Sequence, residues 1–117
     1  MSDPAAAISA RLAELWRTSR PTILERTTIL HATLDCLVRN PADAAARAGG
    51  REAAHKLTGI LGVFGLPEGS RIASEIEGIL IVLNDEGEDQ DPLSPAALGA
   101  LRGYLADLDA VIASKPA

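Results

Sequence analysis

The 117-residue sequence predicts an all-α fold, an up-down antiparallel four-helix bundle with an additional short N-terminal helix lying across one end. Three observations lead there. Apolar residues recur at steps of three and four almost throughout, the spacing of one helix face. No stretch alternates with period two, so no strand is expected. Proline stands where helices begin, at Pro4, Pro21, Pro67 and Pro95, the position at which its missing N–H costs least. The links between segments are short, so sequence neighbours should be neighbours in space. One domain is expected over residues 1–117, with the N-terminal helix in 1–20, the bundle in 21–114 and an acidic loop at 85–93.

Segment one, about Ala5 to Thr18, puts Ile8, Leu12 and Leu15 on one face, with Asp3-Pro4 as cap and first-turn pair. Segment two runs from Pro21 to about Arg39 with the seam Ile23, Thr27, Leu30, Leu34 and Leu37, and Asn40-Pro41 stops it. Segment three, about Ala42 to Phe64, carries Leu57, Leu61 and Phe64 and ends at Gly65. Segment four starts near Pro67 with Ile72, Ile76, Ile79 and Leu83. Segment five follows Ser94-Pro95 with Leu98, Leu101, Leu105, Leu108 and Ile112.

Charge and composition exclude several classes of function. The net charge is −5 and the only aromatics are Trp16, Phe64 and Tyr104, which argues against nucleic-acid binding. The whole deficit sits in Asp85, Glu86, Glu88, Asp89 and Asp91; without them the chain is balanced. That segment lacks the glycine and the final glutamate of a calcium loop and is expected to be a solvated connection. The apolar run Ile79–Leu83 is far too short to span a membrane. A single cysteine, Cys36, fits a reducing compartment, and Met1–Arg20 lacks the apolar core of a secretory signal. A cytoplasmic monomer is expected.

Segment three breaks the pattern. Gly59, Gly62 and Gly65 recur every third residue, although each interior glycine costs a helix about 1 kcal/mol relative to alanine. On a helical wheel His55 falls about 160° from Leu57, with Gly59 and Gly62 beside it on the outer face. An exposed imidazole therefore stands next to a bare strip of helix. A partner surface could approach that strip and reach the ring, or the glycines could serve close helix packing. Arg51, Lys56 and, less closely, Arg47 supply positive charge that suits an anionic group such as phosphoryl.

The stretch Ala54-His55-Lys56-Leu57-Thr58-Gly59-Ile60-Leu61-Gly62-Val63-Phe64-Gly65-Leu66 resembles the signature of histidine-containing phosphotransfer (HPt) domains. That signature has an acceptor histidine, an apolar residue two on, and glycines four and ten on. Ile72, Ala73, Ile76 and Glu77 resemble the small and apolar positions and the acid that follow it. The resemblance implies a helical bundle in which His55 accepts a phosphoryl group from a receiver-domain aspartate and passes it to another. It also implies a phosphoryl environment of Lys56, Thr58 and Arg51, and a docking face of Gly59, Gly62, Glu52 and Val63. The implied partners are a response-regulator receiver domain, a hybrid histidine kinase, or both, with Mg²⁺ held by the receiver and no cofactor on this chain. Such a protein is a phosphorelay intermediate rather than a self-contained enzyme, and no kinase ATP-binding motif is present. Two positions depart from the pattern: Thr58 stands where the family usually has lysine, and Gly69 where it often has leucine. The first motivates an alternative, an adaptor that binds a receiver or kinase without being phosphorylated.

Other candidates are weaker. Glu52 and His55 form one Glu-x-x-His pair, whereas a di-iron bundle needs two such pairs and further glutamates, so no metal site is expected. His31 and Cys36 have no chemical partners at useful spacing and are expected to play structural roles.

Overall fold

The computed structural model describes residues 3–81 and 92–116, and among them the chain forms four helices and no strand. Helix α1 spans Pro4–Arg39, α2 Ala44–Val63, α3 Pro67–Leu80 and α4 Pro95–Ala113. The expected acidic loop, residues 85–93, falls almost wholly outside the described residues, as does Leu83.

The ends follow local chemistry. The side chains of Asp3, Asp43 and Ser94 accept from the backbone N–H groups of Ala5, Ala46 and Ala97 at 3.0, 3.0 and 3.1 Å, each satisfying an orphan donor of a first turn. α2 closes with a Schellman arrangement. Gly65 takes φ 72°, while Leu66 N donates to Leu61 O at 3.0 Å and Gly65 N to Gly62 O at 3.3 Å. Only a residue without Cβ adopts that left-handed conformation readily, so the glycine of the motif also ends the helix.

One expectation fails. Segments one and two are not separate helices. Pro21 lies inside α1, and among the described residues no short helix crosses the end of the bundle. Proline in a helix interior removes one hydrogen bond and costs about 3 kcal/mol. Contacts on either side of it hold α1 together. Upstream, Trp16 is 2% exposed, packs edge-on to Phe64 at 5.3 Å between centroids, and donates Nε1–H to Pro116 O at 3.0 Å. Downstream, Ile23, Thr27 and Leu30 are buried. Ile8, Leu12 and Leu15 consequently remain on the surface.

Each helix packs on its sequence neighbours, and α4 returns to α1. Pairs such as Trp16 with Phe64, Thr58 with Ser70, Arg47 with Ile81, and His31 with Asp109 show consecutive helices, and α1 with α4, running in opposite directions. The core is built from the seams expected for segments two, three and five, with Leu98 only half-buried, and from Ile72 and Ile76 of α3, where Leu80 rather than the half-buried Ile79 is the last buried residue. Gly50 and Gly69 let the helices approach closely. A Cβ on Gly50 would lie 2.6 Å from Thr33 Cγ2, and one on Gly69 3.1 Å from Val111 Cγ1. Gly69 therefore serves close packing of α3 against Val111 and Leu61. Gly50→Ala should destabilise the protein by about 1–3 kcal/mol through overpacking, measured by urea denaturation.

Candidate functional site

His55 lies on the outer face of α2, with 74% of its side chain exposed. Its Nδ1 donates to Glu77 Oε1 of α3 at 3.0 Å. Glu77 is itself only 21% exposed, so the carboxylate is fixed against the bundle while the imidazole stands out from it. A carboxylate only accepts, so this bond places the proton on Nδ1 and leaves the lone pair on Nε2. No partner occupies Nε2 among the described residues. The ring points outward, with its tautomer set from behind.

Arg51, one turn before His55, lines a shallow depression of about 390 Å³ together with Ala48, Glu52, His55 and Glu77. It has no hydrogen bond or ion pair among the described residues. The other expected contributors differ. Lys56 Nζ binds Glu52 Oε1 at 2.9 Å, and this hydrogen bond, with the charge behind it, holds the Glu52 carboxyl below the usual carboxylate range. Thr58 is half-buried, donates Oγ1–H to Ala54 O at 2.9 Å and accepts Ser70 Oγ–H on its own carbonyl at 2.6 Å. Its hydroxyl is thus committed to α2 itself. Arg47 is 6% exposed and donates Nη2–H to Ile81 O at 3.4 Å, beside the C-terminal end of α3. It contributes to packing and capping there rather than to the face of His55.

The glycines also resolve. A Cβ on Gly59 would meet nothing within 4 Å, and one on Gly62 only Ser70 Oγ at 3.7 Å. Close helix packing therefore does not explain them, and the exposed strip they create lies beside His55. Val63, 66% exposed, extends that strip by one turn. Glu52 is exposed on the same helix.

Glu77 is the residue that sequence reasoning did not assign to the site. Its signal was weak: Glu75 and Glu77 both flank Ile76 of the apolar seam, and nothing in the sequence shows which of the two faces α2. The second histidine provides a contrast. His31 is also exposed and also meets a carboxylate across a helix pair, but through Nε2, which lies 2.7 Å from Asp109 Oδ2. Its outward nitrogen is already engaged. Cys36 is half-buried and lies 3.8 Å from Arg39 Nη2.

No helix among the described residues is long and apolar enough to cross a membrane. No curated protein and no solved structure matches the chain. The Hpt domain family model matches residues 11–111, which takes in α2, α3, His55 and most of α1 and α4, and the chain therefore belongs to the Hpt domain family.

Proposed function

We propose that this protein carries a phosphoryl group on His55 between receiver-domain aspartates of a two-component phosphorelay. The observation that carries the reading is the His55–Glu77 hydrogen bond, which leaves Nε2 unoccupied and solvent-facing beside the bare Gly59–Gly62 strip. The Nε2 lone pair attacks the phosphorus of an aspartyl phosphate. The N–P bond forms as the acyl-phosphate O–P bond breaks, and the aspartate leaves as a carboxylate. No proton has to leave Nε2, and the Nδ1 proton stays on its bond to Glu77, whose charge offsets that of the phosphorylated ring. The reverse step delivers the group to a second aspartate. The up-down bundle serves as a rigid post that presents the ring. Mg²⁺ and the acidic pocket belong to the receiver, and this chain contributes the nucleophile and a docking face of Gly59, Gly62, Val63 and Glu52.

Arg51 takes the part of the missing lysine. Thr58 offers no charge, and Lys56 is engaged by Glu52. Arg51→Ala should lower the phosphorylated fraction at equilibrium by about two- to five-fold, the size of one exposed charge pair, with Lys56→Ala nearly silent. Quantified phosphoprotein gels check this.

The reading is tested by incubating the protein with a phosphorylated receiver domain and following the label. Thr58 supports the second reading, an adaptor that docks without accepting phosphate. Receiver binding that survives His55→Ala, with no phosphohistidine ever formed, would select the adaptor.

A further inference from the structure

One helix face has no partner. The buried seam of α1, which includes Trp16, Ile23, Leu30 and Leu37, continues towards the N-terminus as Leu12 and Ile8, with Leu15 alongside. Yet no residue from Pro4 to Leu15 is buried, and Ile8, Leu12 and Leu15 are 62, 40 and 36% exposed. These twelve residues are about 18 Å of helix. Most helical stability in proteins comes from packing an amphipathic face, and this end of α1 buries none of its side chains among the described residues. At its foot lies a groove of about 300 Å³, lined by Ser9, Leu12, Ala13, Val63, Phe64 and Lys115 among others.

The dimensions show the same surplus. The radius of gyration is 16.4 Å, whereas a compact chain of this length has about 13.4 Å. The accessible surface is 6947 Å², against about 6,100 Å² for a compact monomer of this mass. The overhang contributes to an excess comparable with the ~800 Å² that each partner buries in a standard interface.

We infer that a second copy of this chain covers the overhang. Two overhangs pack antiparallel about a two-fold axis, Ile8 of one near Leu15 of the other and the Leu12 side chains near the axis. The face is this fold's own core seam run past the end of its bundle, so another copy of that seam is its best-matched complement. Steps of four and three are those of a two-helix seam. Charge does not oppose the pairing. Arg11, flanking the stripe, is paired with Glu14 on its own helix at 3.4 Å, and Asp3 and Arg17 complete a neutral set despite the net −5 of the chain. Isologous pairing closes on itself and limits the assembly to two copies. This departs from the monomer expected from sequence, where a short helix folded across the bundle end would have buried the same stripe. The inference does not rest on phosphotransfer.

Sedimentation equilibrium of the full chain over a wide concentration range tests it. The wild type should move from the 12.2 kDa of one chain to twice that mass as concentration rises. Ile8→Glu/Leu12→Glu, at positions outside the core, should stay at the single mass with an unchanged helical circular dichroism spectrum. A wild type that remains at the single mass throughout overturns the inference, as does a dimer that survives the double substitution. A monomeric wild type whose receiver binding is lost in the double variant would also overturn it and assign the stripe to the receiver.

Discussion

Replacing His55 by glutamine is expected to abolish phosphoryl acceptance, with label from a phosphorylated receiver falling on the order of a thousand-fold or more, to background. Glutamine keeps most of the size and polarity of the ring but offers no nucleophilic nitrogen lone pair. The loss should come without loss of fold, because the side chain is 74% exposed and its one hydrogen bond among the described residues is to Glu77. Thermal unfolding should therefore shift little. The corresponding change at His31 is the control. That ring has its Nε2 on Asp109, so His31→Gln should leave transfer intact. Residual label on the glutamine variant would move the acceptor elsewhere.

Gly59 should show opposite effects on stability and on transfer. A Cβ there meets nothing within 4 Å, so Gly59→Ala removes backbone entropy from the unfolded chain without a clash. The variant should be about 1 kcal/mol more stable, with a melting point a few degrees higher. Gly59→Trp should also fold, since the position is exposed, but it places a large ring beside His55 where a receiver must approach. If a receiver docks on the strip as proposed, transfer should fall by more than about tenfold, equivalent to at least 1.4 kcal/mol of lost docking, while phosphorylation by a small-molecule donor such as acetyl phosphate stays near wild type. If both donors fail equally, the ring rather than the docking strip has been disturbed. A helix that keeps a destabilising glycine with no packing reason is best explained by what must come close to it.

Much of the fold and of the site is legible in the sequence. The seams at Ile23–Leu37, Leu57–Phe64 and Leu101–Ile112 emerge buried, because three- and four-residue spacing dictates which face of a helix can be dry. The exposure of His55 and the bare strip also follow from helical angles within one element. What was hidden depends on relations between elements. The His55–Glu77 bond spans two helices, and only their register brings it about. Pro21 locally favours a helix start, and packing around Trp16 overrides that preference. Thr58, Lys56 and Arg51 all lie within a turn of His55, but their roles diverge. One hydroxyl bonds its own backbone, one ammonium is held by Glu52, and one guanidinium has no such engagement.

The most direct measurement locates the phosphoryl group atom by atom. The ¹⁵N-labelled protein, incubated with a phosphorylated receiver, can be followed by NMR of its two imidazole side chains. Because Glu77 holds Nδ1, the expected result is phosphorus on Nε2 of His55, with His31 unchanged. Phosphorus on Nδ1, on His31, or on neither ring would contradict it.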